Sequence, residues 1–214
     1  MRLKKMGGVF IVVEGIDGSG KGFVMMKLQE YIMGKSKKYD HVLLTREPTH
    51  GKYGQKLREI LRTHKDPYAA SRECLSLYTS DRKDHLRRHI EPALAKDYVV
   101  LCDRYKYSTI AFQQAQGIPL GEVIKSQQGI LSPHLTILLD LPAKTALQRA
   151  RERDGGKNEK FEDEEFEEKV RQNYLQLTRL FPHEKFAVID ASKEKEEVWQ
   201  QVKKAVDESG VLPY

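Results

Sequence analysis

The chain of 214 residues predicts a single α/β domain: a doubly wound five-stranded parallel sheet with helices on both faces. Three observations carry this prediction. Short apolar, β-branched runs recur at 9–15, 41–46, 98–103, 135–141 and 185–190, and each is near-continuous rather than alternating. That is how strands covered on both faces read. Segments with helical spacing separate them, and polar residues gather just past the ends of the first three, where such sheets bind ligands.

The elements follow in order. VFIVVEG reads as the first strand, and Val24, Leu28 and Tyr31 or Ile32 give the next helix its buried stripe, with Met25 and Met26 assigned to its packing. HVLLTR is the second strand, followed by a helix with Leu57, Ile60 and Leu61 inward. SLYTSDRKDH (76–85) belongs on a helix, YVVLCD is the third strand and LTILLDL the fourth. The charged run 149–169 predicts two helices joined by an exposed turn at Asp154–Gly155–Gly156. By itself it fits a solvated surface pair as well as a mobile lid over a phosphate site. Val170, Tyr174, Leu177 and Leu180–Phe181 then give a further buried stripe, and KFAVID is the last strand.

Composition narrows the function classes without choosing one. The chain is 39% hydrophobic and 32% charged, and Cys74 and Cys102 are its only cysteines, which excludes a disulfide framework. The apolar run near the start stops at Glu14, too early for a secretion signal, so a cytoplasmic protein without a membrane span is expected. A net charge of +6 calls for an anionic partner. The basic residues are dispersed and no recognition motif appears, so a nucleotide is expected and nucleic acid is not.

Gly15-Ile16-Asp17-Gly18-Ser19-Gly20-Lys21 has the spacing G-x-x-x-x-G-K between a strand and a helix. Glycines there let successive N–H groups turn inward as an anion nest, the helix N-terminus adds positive potential, and Lys21 supplies a point charge. This P-loop predicts ATP binding through Gly15–Gly22. Gly22 is the departure, since a Ser or Thr at this position normally gives its hydroxyl to Mg²⁺. Magnesium keeps several waters, so another water would replace that oxygen and hold the metal less firmly.

With TREP at 45–48, SLYTSDRKDH at 76–85, CDRYKYSTIAFQ at 102–113 and the later RARERDGG, the chain resembles thymidylate kinases, the P-loop kinases of dTMP, from about residue 8 to about 190. The resemblance implies a helical lid at about 149–163 and a homodimer. It makes Asp103 and Arg104 the pair that positions metal and phosphate, with Asp17 and Asp103 at Mg²⁺. Arg82 corresponds to the arginine that reads a thymine carbonyl, and Tyr78 to the aromatic that stacks on the base. Arg46 and Glu47 fall on the acceptor loop, and Arg46 and Arg58 are candidates for the monophosphate. Ser108, Thr109, Phe112 and Gln113 match the stretch lining deoxyribose and base. Phe112 stands where many relatives carry Tyr, which removes a hydroxyl contact near the sugar. Some members place a catalytic arginine in the P-loop and others in the lid; this loop has none, which leaves Arg153 or Arg149.

The implied activity is ATP- and Mg²⁺-dependent phosphorylation of dTMP to dTDP, with catalytic roles for Lys21, Asp103, Arg104 and a lid arginine. A P-loop kinase of another nucleoside or monophosphate shares most of these features. A nucleotide-binding protein silenced by Gly22 is the rival from outside enzymology.

Overall fold

Apolar runs long enough for a strand and too short for a buried helix form a sheet once both faces can be covered. In the computed structural model, which describes residues 7–35, 41–63, 68, 70–154 and 163–212, the five predicted runs do this. The order along the chain is β1 (Val9–Glu14), α1 (Lys21–Lys35), β2 (Val42–Arg46), α2 (Lys52–Thr63) and α3 (Ser71–His85). A π turn at Leu86–Ile90 leads α3 into α4 (Glu91–Leu94). Then come β3 (Val99–Asp103), α5 (Lys106–Ala115), α6 (Leu120–Ser126), β4 (Leu135–Asp140), α7 (Ala143–Asp154), α8 (Glu164–Leu180), β5 (Phe186–Asp190) and α9 (Lys195–Ser209).

All pairings are parallel, in the spatial order β2-β3-β1-β4-β5. β1 is therefore central, with Val13 paired to Asp103 on one side and Ile137 on the other. The connections from β1 and β3 leave in opposite directions, which opens a crevice at the carboxyl end of β1. Val9, Ile11 and Val13 face the larger core, with Val24 and Leu28 of α1. Phe10 and Val12 face Leu86, Ile90 and Leu94. By the two-residue period, Glu14 shares the face of Phe10 and Val12.

The sequence reading needs three corrections. β2 and β5 are not covered on both faces: they are the sheet edges, and Leu44 and Val188 are 41% and 47% exposed. Met25 packs in the core while its neighbour Met26 is exposed, because consecutive helical residues point about 100° apart. Leu180, at the last turn of α8, is exposed where a buried stripe was expected. The two helices of the charged run are present as α7 and α8, and Asp163 starts α8 by accepting from the N–H groups of Glu165 and Phe166. The Gly155–Gly156 turn and the rest of the expected lid up to 162 lie outside the described residues.

One close contact sets the acceptor side of the crevice. α2 packs on α3 through Leu57, Ile60 and Cys74, and its first turn lies against the backbone of the loop that follows β2. A Cβ on Gly54 would lie 2.0 Å from the Thr49 carbonyl oxygen. Gly54→Ala is expected to cost about 2 kcal/mol or more through overpacking. In thermal unfolding this should appear as a Tm lower by roughly 4–8 °C; an unchanged Tm would show that the loop yields freely.

Candidate active site

The phosphate loop begins where β1 ends. Gly15, Gly18 and Gly20 have φ of 144°, 82° and 92°, values only glycine adopts readily. Gly18 has a second reason to lack a side chain: a Cβ there would lie 2.0 Å from the carbonyl oxygen of Ala146 on α7. Lys21, the first residue of α1, is buried and donates to the carbonyls of Gly15 (3.1 Å) and Ile16 (2.8 Å). Burial and the neighbouring Arg104 lower its pKa to about 8, so it remains protonated at neutral pH. Gly22 has no neighbour within 4 Å of a Cβ position, so a larger residue would fit there.

Arg104 follows β3 with φ of 67°, an uncommon value for a side-chain-bearing residue, and its N–H is fixed by the Val13 carbonyl at 3.0 Å. Its guanidinium donates to Asp17 Oδ1 (2.8 Å), Ser108 Oγ (3.1 Å) and the Tyr174 hydroxyl (3.2 Å), and stands over the Phe112 ring at 5.2 Å. Arg104 holds the Asp17 carboxyl far below the usual range, with further help from Lys21 and Arg153. That places Arg153 within electrostatic reach of the phosphate loop.

Beside this cluster lies a cavity of about 210 Å³. Asp17, Arg46, Tyr78, Arg82, Arg104 and Ser108 border it, and Phe112 and Phe166 give it aromatic walls. Helix α3 builds its far side. Asp81 accepts from the Thr49 N–H (2.7 Å) and hydroxyl (2.6 Å). Arg82, 1% exposed, donates to Glu47 Oε2 from Nε at 2.8 Å, to the Tyr105 carbonyl at 2.9 Å, to Thr109 Oγ1 at 3.0 Å and to Gln127. His85 stands between Glu47 Oε1 (3.0 Å) and Thr45 Oγ1 (2.7 Å). Three side chains one helical turn or less apart thus fasten the loop after β2 to α3.

The structure brings most of the expected residues together and reassigns several. Lys21, Asp17, Asp103 and Arg104 converge at the strand ends. Tyr78 and Arg82 border one cavity, and burial pushes the Tyr78 hydroxyl up to about 12. Arg82, however, spends most of its donors inside the protein, so it acts as a structural beam between α3 and its neighbours. Glu47 is buried and serves Arg82 and His85. Arg58 does not border the cavity: it donates to the carbonyls of Pro48 and Thr49, because α2 places it beneath that loop. Arg149 is likewise drawn elsewhere, to the carbonyls of Ala191 (2.7 Å) and Ser192 (3.2 Å) after β5. Gln113 is buried, its amide donating to Gln116 at 2.7 Å.

For a metal, the described residues offer no cluster of three His, Cys, Asp or Glu side chains. Asp103 Oδ1 is buried without a hydrogen-bond partner, an orphan acceptor that fits a cation or its water. Asp17 Oδ1 is committed to Arg104. One protein oxygen, with phosphate and water supplying the rest, suits the coordination habit of Mg²⁺.

Sequence reasoning missed Glu14, Tyr174 and Glu167. Glu14 had a signal, a carboxylate closing an otherwise apolar strand. Tyr174 was hidden in a helical apolar stripe. Glu167 of α8 is 2% exposed and its Oε2 has no hydrogen-bond partner; burial, with Asp17, raises its pKa to about 7 against the opposing pull of Arg104 and Lys21.

A phosphate loop at the end of a central parallel strand, with a lysine and an arginine converging beside an aromatic-walled cavity, defines a P-loop nucleotide kinase. Comparison with known proteins gives the particular family. The sequence model of the family described as thymidylate kinase matches residues 13–202, and the chain belongs to that family. It is 42% identical to a probable thymidylate kinase of Pyrococcus horikoshii over 180 residues, covering 83% of this chain and 86% of that one. It is 37% identical to the thymidylate kinase of Brachyspira hyodysenteriae, covering 97% and 98%. The crystal structure of thymidylate kinase from Ehrlichia chaffeensis superposes with a TM-score of 0.73 at 27% identity, covering 94% of this chain and 99% of the other.

Glu167 gives a pH signature. A carboxyl raised from 4.5 to about 7 binds its proton more tightly in the folded state. Its stabilising contribution is complete below about pH 4.5 and is lost as pH rises through about 7. Glu167→Gln removes this titration. Thermal unfolding should show the variant gaining on the parent by about 2–3 kcal/mol at pH 8, with the gain shrinking toward pH 5. A difference independent of pH would refute the assignment.

Proposed function

We propose that this protein transfers the γ-phosphoryl group of ATP to the 5′-phosphate of dTMP, giving ADP and dTDP. The observation that carries the reading is the convergence of Lys21 and Arg104 on Asp17, with Arg104 and Asp17 bordering a cavity walled by Tyr78, Phe112 and Phe166. The names borne by its relatives choose dTMP among acceptors. The phosphate loop holds the donor phosphates, with Lys21 reaching toward the γ-group. Arg104, between the loop and the cavity, bridges donor and acceptor phosphates, since a guanidinium makes paired bonds to phosphate oxygens. Arg46, Tyr78 and Phe112 border the cavity, and in this reading Arg46 takes the acceptor phosphate and the two rings take base and sugar. Ser108, Thr109 and Gln113 line the same side.

The acceptor phosphate is already a nucleophilic anion, so neither a covalent intermediate nor a strong base is required. Catalysis is positioning and charge neutralisation. Arg153 is the lid arginine best placed to add charge. Asp103, whose Oδ1 is buried without a partner, would hold Mg²⁺, which would supply neutralisation of phosphate charge when bound. The family resemblance supports a homodimer, and one domain and a cytoplasmic location belong to the same reading; no helix among the described residues is long and apolar enough to cross a membrane.

Coupled ADP release with each nucleoside monophosphate tests the reading. dTMP should be turned over fastest; no turnover of dTMP at any Mg²⁺ concentration would sink it, and ATP binding without turnover would leave only a nucleotide-binding protein. Because a side chain fits at position 22, Gly22→Thr is expected to restore a metal ligand. The Mg²⁺ concentration for half-maximal rate should then fall by about tenfold, equivalent to roughly 1.4 kcal/mol. An unchanged Mg²⁺ dependence would show that no hydroxyl is needed there.

A further inference from the structure

Glu14 closes β1 with no solvent exposure, at the base of the phosphate loop. Its Oε1 accepts from the backbone N–H groups of Tyr105 (2.9 Å) and Ser108 (3.1 Å). Its Oε2 accepts from the hydroxyls of Ser108 (2.6 Å) and Tyr174 (3.1 Å). Those two hydroxyls lie 2.7 Å apart, and both accept from Nη1 of Arg104.

Proton counting fixes the direction of this network. Arg104 only donates, so each hydroxyl must meet it with a lone pair. A hydroxyl that accepts from Arg104 directs its single proton away from it, to Glu14 or to the other hydroxyl. The 2.6 Å bond sends the Ser108 proton to Glu14, and the Tyr174 proton is shared between Ser108 Oγ at 2.7 Å and Glu14 at 3.1 Å. The two N–H groups also donate to Glu14; burial pushes its pKa up, and these donors together with the charge of Arg104 oppose that push and favour the carboxylate. The order is guanidinium, hydroxyl pair, carboxylate: a buried ion pair with one polar layer between its charges.

The guanidinium is thus held from two sides of different character. Nη2 meets Asp17, which is exposed to solvent. Nη1 meets the hydroxyls of Ser108, at the cavity wall, and of the buried Tyr174, both backed by the buried Glu14. We propose that Glu14 is a positioning residue for Arg104, acting through Ser108 and Tyr174 to fix the aim of the guanidinium on the transferring phosphoryl group. This assignment rests on the phosphoryl-transfer reading above.

Glu14 also satisfies two N–H groups at the start of α5, so loss of stability on its removal would not by itself demonstrate positioning. The direct test leaves the carboxylate and its backbone bonds in place and removes the hydroxyl layer, with Ser108→Ala, Tyr174→Phe and the double variant, alongside Glu14→Gln. Turnover of dTMP, the KM for ATP, ATP affinity by calorimetry and the folded fraction are measured together. Misplacement of a reacting group by about 1 Å costs roughly 100-fold, so kcat of the double variant should fall by about that factor, with ATP affinity within about threefold. Glu14→Gln added to the double variant should lower kcat little further, because the link it acts through is already gone. A double variant that keeps kcat within about threefold of the parent overturns the proposal. So does a kcat loss that only follows the folded fraction, or a full multiplicative effect of Glu14→Gln on the double variant. If the parent itself fails to turn over dTMP, the functional reading fails instead, so the two failures are distinguishable.

Discussion

Lys21 and Arg104 are two cations in one small volume, and much of the site is arranged around their mutual repulsion. Burial lowers the Lys21 pKa, and the charge of Arg104 lowers it further. Carboxylates answer this at graded depth. Asp17 is exposed and touches both cations, Asp103 stands at the adjoining strand end, and Glu14 lies deepest, reached through hydroxyls. Such concentration of positive charge is costly in isolation and favourable around phosphates, which is the difference a phosphoryl-transfer site needs. The same arithmetic explains Glu167, a further buried carboxylate whose ionisation is opposed by burial and by Asp17.

The acceptor side rests on a different device. Arg82 and Glu47 form a buried pair with hydrogen bonds to a backbone carbonyl, a threonine and a glutamine, and removing one partner of such a pair typically costs about 3–5 kcal/mol. The pair ties α3 to the loop after β2 and to the start of α5, so three segments distant in sequence share one rigid corner. The π turn at Leu86–Ile90 follows at once, letting the helix change register so that Leu86, Ile90 and Leu94 cover the sheet.

Much of this was legible in the sequence, for identifiable reasons. The strands showed because buried parallel strands are continuous apolar runs, and the phosphate loop because its glycines answer to backbone geometry. The exposed faces of β2 and β5 were not legible, since the order of strands is set by crossovers that local patterns do not record. Arg82 was legible as important and illegible as a beam, because residue type and helical spacing do not reveal what already occupies its donors. Arg58 and Arg149 show the same gap: both were placed near phosphate by the family resemblance and are held by backbone carbonyls. Tyr174 was hidden most completely, since its ring obeys the core periodicity while its hydroxyl serves the site.

The backbone contact between Gly18 and Ala146 has a mechanical meaning. Most of the core meets itself through side chains, which change rotamer and absorb small displacements. At Gly18 there is no such compliant layer: a turn of the phosphate loop rests on the main chain of α7. α7 also carries Arg149, bound to the segment after β5, and Arg153, near Asp17. A tilt of this helix therefore travels as a rigid lever into the loop and the β5 edge at once, so the two halves of the donor side share one tolerance.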